Sequence, residues 1–334
     1  MKLRILSEDD VRAVITMADA IPMQAEAFTL LAEGRSVEGL RSFALSETPP
    51  GVAIFNPSFL KEGKGYGVKV VSDFYENTER GAPRMSALVA LFDGETGLPR
   101  TVMEGGHLTD LRTGAGTALA ARHLARTECR TLAMIGAGRV ARNQLAALCE
   151  VCPIEKVRLS TRTQARALEF IERMSAAGGS VPTDIELVAS PAAAVAGADV
   201  VVAATTAHQP VFDGRTLEPG TFVVAAGAYE ATTREVDSET IRRASKWVVD
   251  SLECLPDAGD LVIPITEGVI EEGQVAGIAD VVAARRPGRD SDDEITYYKS
   301  MGVPIQDLVT AQHIERRAEE RNIGTVIDIG GDHD

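Results

Sequence analysis

A short apolar run that ends in two glycines one residue apart and passes without a break into a helix-forming segment leaves a chain few folds to choose from. Residues 131–148 read TLAMIGAGRVARNQLAAL. Leu132, Ala133, Met134 and Ile135 predict a buried strand, Gly136-Ala137-Gly138 a tight turn, and the residues from Arg139 a helix. Gly136 permits the turn, Gly138 lets the backbone come close to a pyrophosphate, and the small Ala141 lets helix and strand pack. The unpaired N–H groups and positive end of such a helix attract phosphate. The same turn also occurs in α/β proteins that bind nothing there. Because the segments on both sides fit, dinucleotide binding is the preferred reading.

The alternation continues downstream. Strands are expected at 131–135, 157–160, 185–188, 199–203, 221–225 and 247–249, with helices at 139–150, 164–177, 190–196 and 238–244. Apolar strands interleaved with helices at this rhythm predict a parallel doubly wound sheet. Upstream, Ser7-Glu8-Asp9-Asp10 reads as a capping box, and helical periodicity runs from 18 to 33 with Pro22 in its first turn. Between 41 and 104 the pattern changes to short β-like runs (52–55, 66–71, 86–92, 100–103) separated by turn residues, which predicts a mainly antiparallel sheet. A helix at 108–124 connects the two regions. After a charged turn at 285–294 come a short strand at 296–298 and a helix at 304–321, expected to return to the first domain. The expected fold class is thus α/β. A Rossmann domain occupies 121–305, and a discontinuous α+β domain is built from both chain ends, 1–120 and 306–334.

At 334 residues with 45% hydrophobic side chains, the chain can bury two ordinary cores. A net charge of −15 opposes a nucleic-acid or anionic-membrane partner. No apolar run approaches the ~20 residues that span a bilayer, and MKLRILSEDD lacks the core of a signal peptide. A soluble, cytoplasmic protein is expected. Cys129, Cys149, Cys152 and Cys254 form no disulfide framework, and Cys149-Glu150-Val151-Cys152 reads as two buried helix thiols. His107, His123, His208, His313 and His333 show no ligand spacing, so no metal is expected.

In a doubly wound sheet, a carboxylate at the end of the second strand usually accepts hydrogen bonds from the adenine ribose. Here that strand ends Leu159-Ser160-Thr161-Arg162-Thr163. Two hydroxyls and a guanidinium suit a 2′-phosphate, so NADP(H) is favoured over NAD(H); the alternative is a solvated Arg162. Lys69 sits in the apolar strand GYGVKVVS, where an ammonium is costly without a partner. Arg112 lies near the start of an otherwise apolar helix. Each fits a structural ion pair; with Arg41, they equally fit convergence on a substrate carboxylate.

The segments GVKVVS, GGHLTDLRTGAGTALAARHLA, MIGAGRVA, GAYEATTREVD and SDDEITYYKSMGVPIQDL resemble, in order and spacing, the ornithine cyclodeaminase/μ-crystallin family over nearly the whole chain. The resemblance implies a homodimer whose substrate and dimerisation domain is built from both chain ends, and hydride transfer at an amino-acid α-carbon through an imine. By position it implies that Arg41, Lys69 and Arg112 hold the substrate carboxylate, with Gly302 beside the substrate. It places Gly136, Gly138, Arg139 and Val140 on the cofactor phosphates, Thr161 and Arg162 at the adenosine ribose, and Thr205, Ala225, Ala226 and Met301 along the nicotinamide half.

Three departures stand beside these matches. Cyclodeaminases carry Asp two residues after the glycine matching Gly227, where this chain has Tyr229. A phenol of pKa near ~10 is a poor base at neutral pH but donates a hydrogen bond, so Tyr229 joins Lys69 and Arg112 as a catalytic candidate. Arg84 replaces a small hydroxyl residue near the cofactor, and Lys299 replaces a common Asp. Both read as extra cations for a second anionic group, or as solvated. The function expected is NAD(P)H-dependent reduction of a small α-imino or α-amino acid: a cyclic ketimine such as pyrroline-2-carboxylate, or an alanine-dehydrogenase-like substrate. Lys69 would polarise the imine or relay a proton. Two other readings are ornithine cyclodeamination with recycled NAD, and a non-catalytic NADP(H)-binding protein of the crystallin type.

Overall fold

The structure is a computed structural model, and it describes residues 1–330. The chain opens with β1 (Lys2–Leu6), α1 (Glu8–Val14) and α2 (Met17–Ala32), followed by β2 (Ser36–Glu38), β3 (Ser42–Glu47), β4 (Pro50–Leu60), β5 (Tyr66–Phe74), β6 (Met85–Phe92) and β7 (Pro99–Glu104). Helix α3 (Gly106–Leu124) leads to β8 (Thr131–Ile135), α4 (Arg139–Cys149), β9 (Lys156–Ser160), α5 (Gln164–Ala177), β10 (Ile185–Leu187), α6 (Pro191–Val195) and β11 (Val200–Ala203). Then come β12 (Phe222–Ala225), α7 (Ser238–Arg243), β13 (Lys246–Val249), α8 (Gly259–Thr266), β14 (Ala276–Gly277), α9 (Ile278–Val282), β15 (Thr296–Lys299), α10 (Pro304–Glu320) and β16 (Thr325–Asp328).

Two compact units result, one from Met1–Arg112 with the chain from Val303 onward, the other from Thr113–Gly302. The division falls inside α3 and just before α10, rather than at 120/121 and 305/306. The reason is local: Arg112, two turns into α3, is bonded to Asp307 in the first turn of α10.

The first unit is a mixed sheet in the order β16-β1-β7-β6-β5-β4-β2, with β3 also on β4. Strands β4 to β7 pair antiparallel in sequence, as the turn-punctuated pattern predicts. Alternation gives β5 two characters: Lys69 lies between Asn56 and Val89, whereas the next residue, Val70, lies between Phe55 and Leu88 on the other face. Helix α10 packs on α2 and across β4, β5 and β6, covering the Lys69 face. The capping box at Ser7 forms, with Asp10 N–H donating to Ser7 Oγ at 3.2 Å and Ser7 N–H to Asp10 at 2.9 Å. A second box, Thr16 with Asp19, starts α2 at Met17, so Pro22 falls in the second turn rather than the first. The helix there forgoes one bond to a carbonyl four residues back.

The second unit is an all-parallel sheet in the order β10-β9-β8-β11-β12-β15-β13-β14, a Rossmann arrangement. Strand order reverses between β8 and β11, the point where open α/β sheets bind ligands. Cys149 is the last residue of α4 and Cys152 lies beyond it, so only one thiol of the CxxC pair is helical; both are buried and free.

Candidate active site

On the first unit, Lys69, Arg112 and Asp307 come together in the interior. Lys69 Nζ lies 2.7 Å from one oxygen of Asp307, and Arg112 Nε lies 2.9 Å from the other. Relative exposures are 4%, 7% and 4%, so all three charges are out of water. Arg41 Nε donates to Asn56 Oδ1 at 2.9 Å, and Asn56 faces Lys69 across the β4–β5 ladder. Asn56, Gly67, Lys69, Val89, Pro304 and Asp307 line one narrow crevice.

The electrostatics follow from burial and sign. Burial pushes Lys69 down to about 8, helped by Arg112 and Arg41 and opposed by Asp307. Burial raises Asp307, but Arg112 and Lys69 outweigh it and hold the carboxylate below its usual range. Lys69 and Arg112 thus share one carboxylate. A ligand carboxylate would balance the surplus, with Arg112 suited to a two-pronged contact. The sequence reading picked out the cations but missed Asp307 and Asn56. Asp307 lies in the IQDL segment of the tail, and its only local signal was an acid near a helix start, which reads as dipole compensation.

On the second unit, Gly136 has φ +109°, and a Cβ there would lie 2.3 Å from the Ala204 carbonyl oxygen. The loop after β8 therefore touches the end of β11, and only glycine fits. Gly138 differs. It caps α4 in an extended conformation, and an added Cβ would meet nothing within 4 Å. Arg139 and Val140 are exposed at the start of α4, whose first turn carries no acid and whose cap makes no side-chain bond. That terminus fits a dinucleotide pyrophosphate. Thr161 is half-buried and Arg162 exposed after β9. Thr205 follows β11; Ala225 ends β12, with Ala226 N–H on Ala203 O at 2.9 Å; Met301 and Gly302 follow β15. All lie at strand C-terminal ends.

The residues that departed from the family pattern have definite places. Tyr229 stands 62% exposed on the loop after β12. Arg84 makes a two-pronged ion pair with Asp73 at 2.7 and 3.0 Å and lies 5.1 Å over the Tyr75 ring. Lys299 is neither solvated nor a pocket cation. It is fully buried, 2.6 Å from Asp260, because β15 is an interior strand covered on both faces. Among the described residues no group of three or more His, Cys, Asp or Glu is placed to hold a metal, and no helix is long and apolar enough to cross a membrane; His333 lies outside the described residues.

Residues 1–322 match the model of the ornithine cyclodeaminase/mu-crystallin family. A Delta(1)-pyrroline-2-carboxylate reductase of Bacillus cereus is 32% identical over 326 residues, 97% of this chain and 99% of the relative. The solved structure of Thermococcus litoralis Delta(1)-pyrroline-2-carboxylate reductase, in complex with NADH and L-proline, is 38% identical with a TM-score of 0.90, covering 96% of this chain and 99% of that one. An archaeal alanine dehydrogenase dimer with bound NAD is 32% identical, also at 0.90, covering 99% and 100%. With a family match and relatives that both span the cation cluster and the glycine turn, the chain belongs to the ornithine cyclodeaminase/mu-crystallin family.

Proposed function

We propose that the protein is a nicotinamide-dinucleotide-dependent reductase of a small cyclic α-imino acid of the pyrroline-2-carboxylate type. The observation that carries this reading is the buried Lys69–Asp307–Arg112 cluster, which sets two cations against one carboxylate. Relatives of the same length named as Delta(1)-pyrroline-2-carboxylate reductases support it. Arg112 and Arg41 bind the substrate carboxylate. Lys69, with its proton loosely held, hydrogen-bonds the imine nitrogen and supplies the proton that makes it a better hydride acceptor. When bound, the dinucleotide supplies the hydride; Gly136, Gly138, Arg139 and Val140 hold its pyrophosphate. Tyr229 offers a hydrogen bond rather than a carboxylate base, which favours reduction over cyclodeamination.

NADP(H) is the preferred cofactor in this proposal, because Ser160, Thr161 and Arg162 occupy the corner where a ribose-binding carboxylate would stand. The two solved structures named above carry NADH and NAD, so the two cofactors must be compared directly.

The partner is a second copy of this chain. On the face of the first sheet opposite Lys69, Phe55, Val70 and Leu88 form one apolar row. Phe59, Tyr66 and Phe92 form another, with stacked rings 5.7 and 4.8 Å apart. Leu88 is 55% exposed and Phe59 40%. Such a face calls for burial.

The test is oxidation of NADPH or NADH with pyrroline-2-carboxylate, and with pyruvate plus ammonia. Turnover of the cyclic imine supports the proposal. Release of ammonia from ornithine without added dinucleotide, and no imine reduction, refutes it.

A further inference from the structure

Beneath the ends of β11, β12 and β15 lies a closed network of buried charges that the proposed chemistry does not use. Glu235 is wholly buried. One of its carboxylate oxygens accepts Thr205 N–H at 2.6 Å and the Thr205 hydroxyl at 2.8 Å. The other accepts Gly227 N–H at 2.5 Å and Ala228 N–H at 3.1 Å. Its own N–H donates to Asp260 Oδ1 at 2.6 Å, and Asp260 Oδ2 is paired with Lys299 at 2.6 Å. Lys299 returns to the same loop, donating to Ala228 O at 2.5 Å. Asp260 and Lys299, like Glu235, are fully buried.

This arrangement joins the turn after β11 to the turn after β12. The two touch closely: a Cβ at Gly227 would lie 2.1 Å from Thr205 O and 2.6 Å from Glu235 Oε1. A second carboxylate, Asp250, does the same for the turn after β15, accepting Met301 N–H at 2.5 Å, Gly302 N–H and the Tyr298 hydroxyl. Burying three ionised groups is costly, and well-packed apolar side chains often stabilise such a position better. What carboxylates supply, and apolar residues do not, is a fixed direction for several backbone N–H groups at once. These turns lie at the C-terminal ends of neighbouring strands, where an open α/β sheet binds its ligand.

We propose that Glu235, oriented by Asp260 and Lys299, is a positioning residue that sets the seat of the nicotinamide half of the dinucleotide. The proposal rests on the function proposed above, which places Thr205, Ala225, Ala226 and Met301 along that half. The glycine turn and the Ser160–Arg162 corner, proposed above to hold the pyrophosphate and the adenosine ribose, make no hydrogen bond to Glu235, Asp260 or Lys299, although Gly136 packs against Ala204 and Thr205. The two halves should therefore separate in a binding experiment.

The experiment measures dissociation constants of NADPH and NADH, and of 2′-phospho-ADP-ribose and ADP-ribose, which lack the nicotinamide, for wild type and Glu235→Gln. Gln keeps an acceptor for Thr205 but turns an amide N–H₂ toward two N–H donors. Loss of bonds to a charged acceptor predicts a rise of about tenfold or more for the intact dinucleotide, with the nicotinamide-free fragments within about twofold. kcat for imine reduction falls in parallel. Asp260→Asn, which keeps the bonds to residues 235 and 236 and drops the ion pair, should show the same split at smaller size. Equal weakening of fragment and dinucleotide, no weakening of either, or failure of both variants to fold overturns the proposal. If wild type binds the fragments but no nicotinamide dinucleotide, it is the function proposed above that fails.

Discussion

Replacing Asp307 by Asn removes the one negative charge held between Lys69 and Arg112 while keeping the side chain's shape. Both contacts are short, at 2.7 and 2.9 Å, and both cations are more than nine-tenths buried. Losing one partner of a buried pair costs about 3–5 kcal/mol, because the charge left behind is unmet in a poorly polarisable interior. Here two cations are left, and one of them can discharge. Lys69 already titrates at about 8 against 10.5 in the open chain, and Asp307 is what keeps it from falling further. In the variant Lys69 gives up its proton at lower pH, each unit moving about 1.4 kcal/mol. Between that lower value and pH 8 the folded variant binds fewer protons than folded wild type, while both unfolded chains keep Lys69 protonated. Stability rises with pH wherever the unfolded state binds more protons. The variant's stability therefore climbs more steeply than wild type's, and its penalty shrinks toward pH 8. Urea unfolding should show a penalty of ~3 kcal/mol at pH 6, smaller by ~1 kcal/mol or more at pH 9. A penalty equal at the two pH values, or larger at pH 9, refutes the assignment of Asp307 as counter-ion to Lys69.

Other expectations follow from single positions. Gly136→Ala puts a Cβ on the Ala204 carbonyl at a φ of +109° and should destabilise the fold by about 2 kcal/mol or more, read as a lower Tm. Gly138→Ala meets open space, so Tm should hold while dinucleotide affinity drops; unchanged affinity would remove the pyrophosphate from this turn. Arg162→Ala should raise KM for NADPH about tenfold and leave that for NADH unchanged, and parallel changes would count against a 2′-phosphate contact. Leu88→Glu should convert a dimer to a monomer in light scattering after gel filtration, and an intact dimer would show that the Phe55–Val70–Leu88 row is not the interface.

Most of the second unit was legible from local pattern. Helix α5 at Gln164–Ala177 and the strands from β8 to β13 fall within a residue or so of their expected places, because glycine turns, capping residues and apolar periodicity are properties of neighbours in sequence. Strands β1, β2, β3 and β16 were not foreseen. They are three to six residues long, and β16 is exposed along its whole length and β3 along nearly all of its own, so their patterns are too short to mark them as strands, and they exist through their pairings. The chain from 252 to 282 also carried no readable pattern, since its helices are short and two contain or follow proline and glycine.

Lys69 and Arg112 stood out in the sequence because a cation in an apolar segment must be paid for by a partner. Which partner was beyond its reach, for Asp307 comes from the opposite end of the chain. Lys299 shows the same limit from the other side: it read as a pocket cation or as solvated, just past a short strand expected at 296–298, yet β15 inserts between β12 and β13 and buries it. The amino-acid sequence alone determined the glycine turn, the parallel α/β rhythm and the presence of unusual buried cations, all matters of short-range sterics and burial period. Tertiary structure alone decided strand order, the counter-ions of Lys69 and Lys299, and the carboxylates that clamp three strand ends. Those depend on groups far apart along the chain, brought together only when complementary faces exclude water.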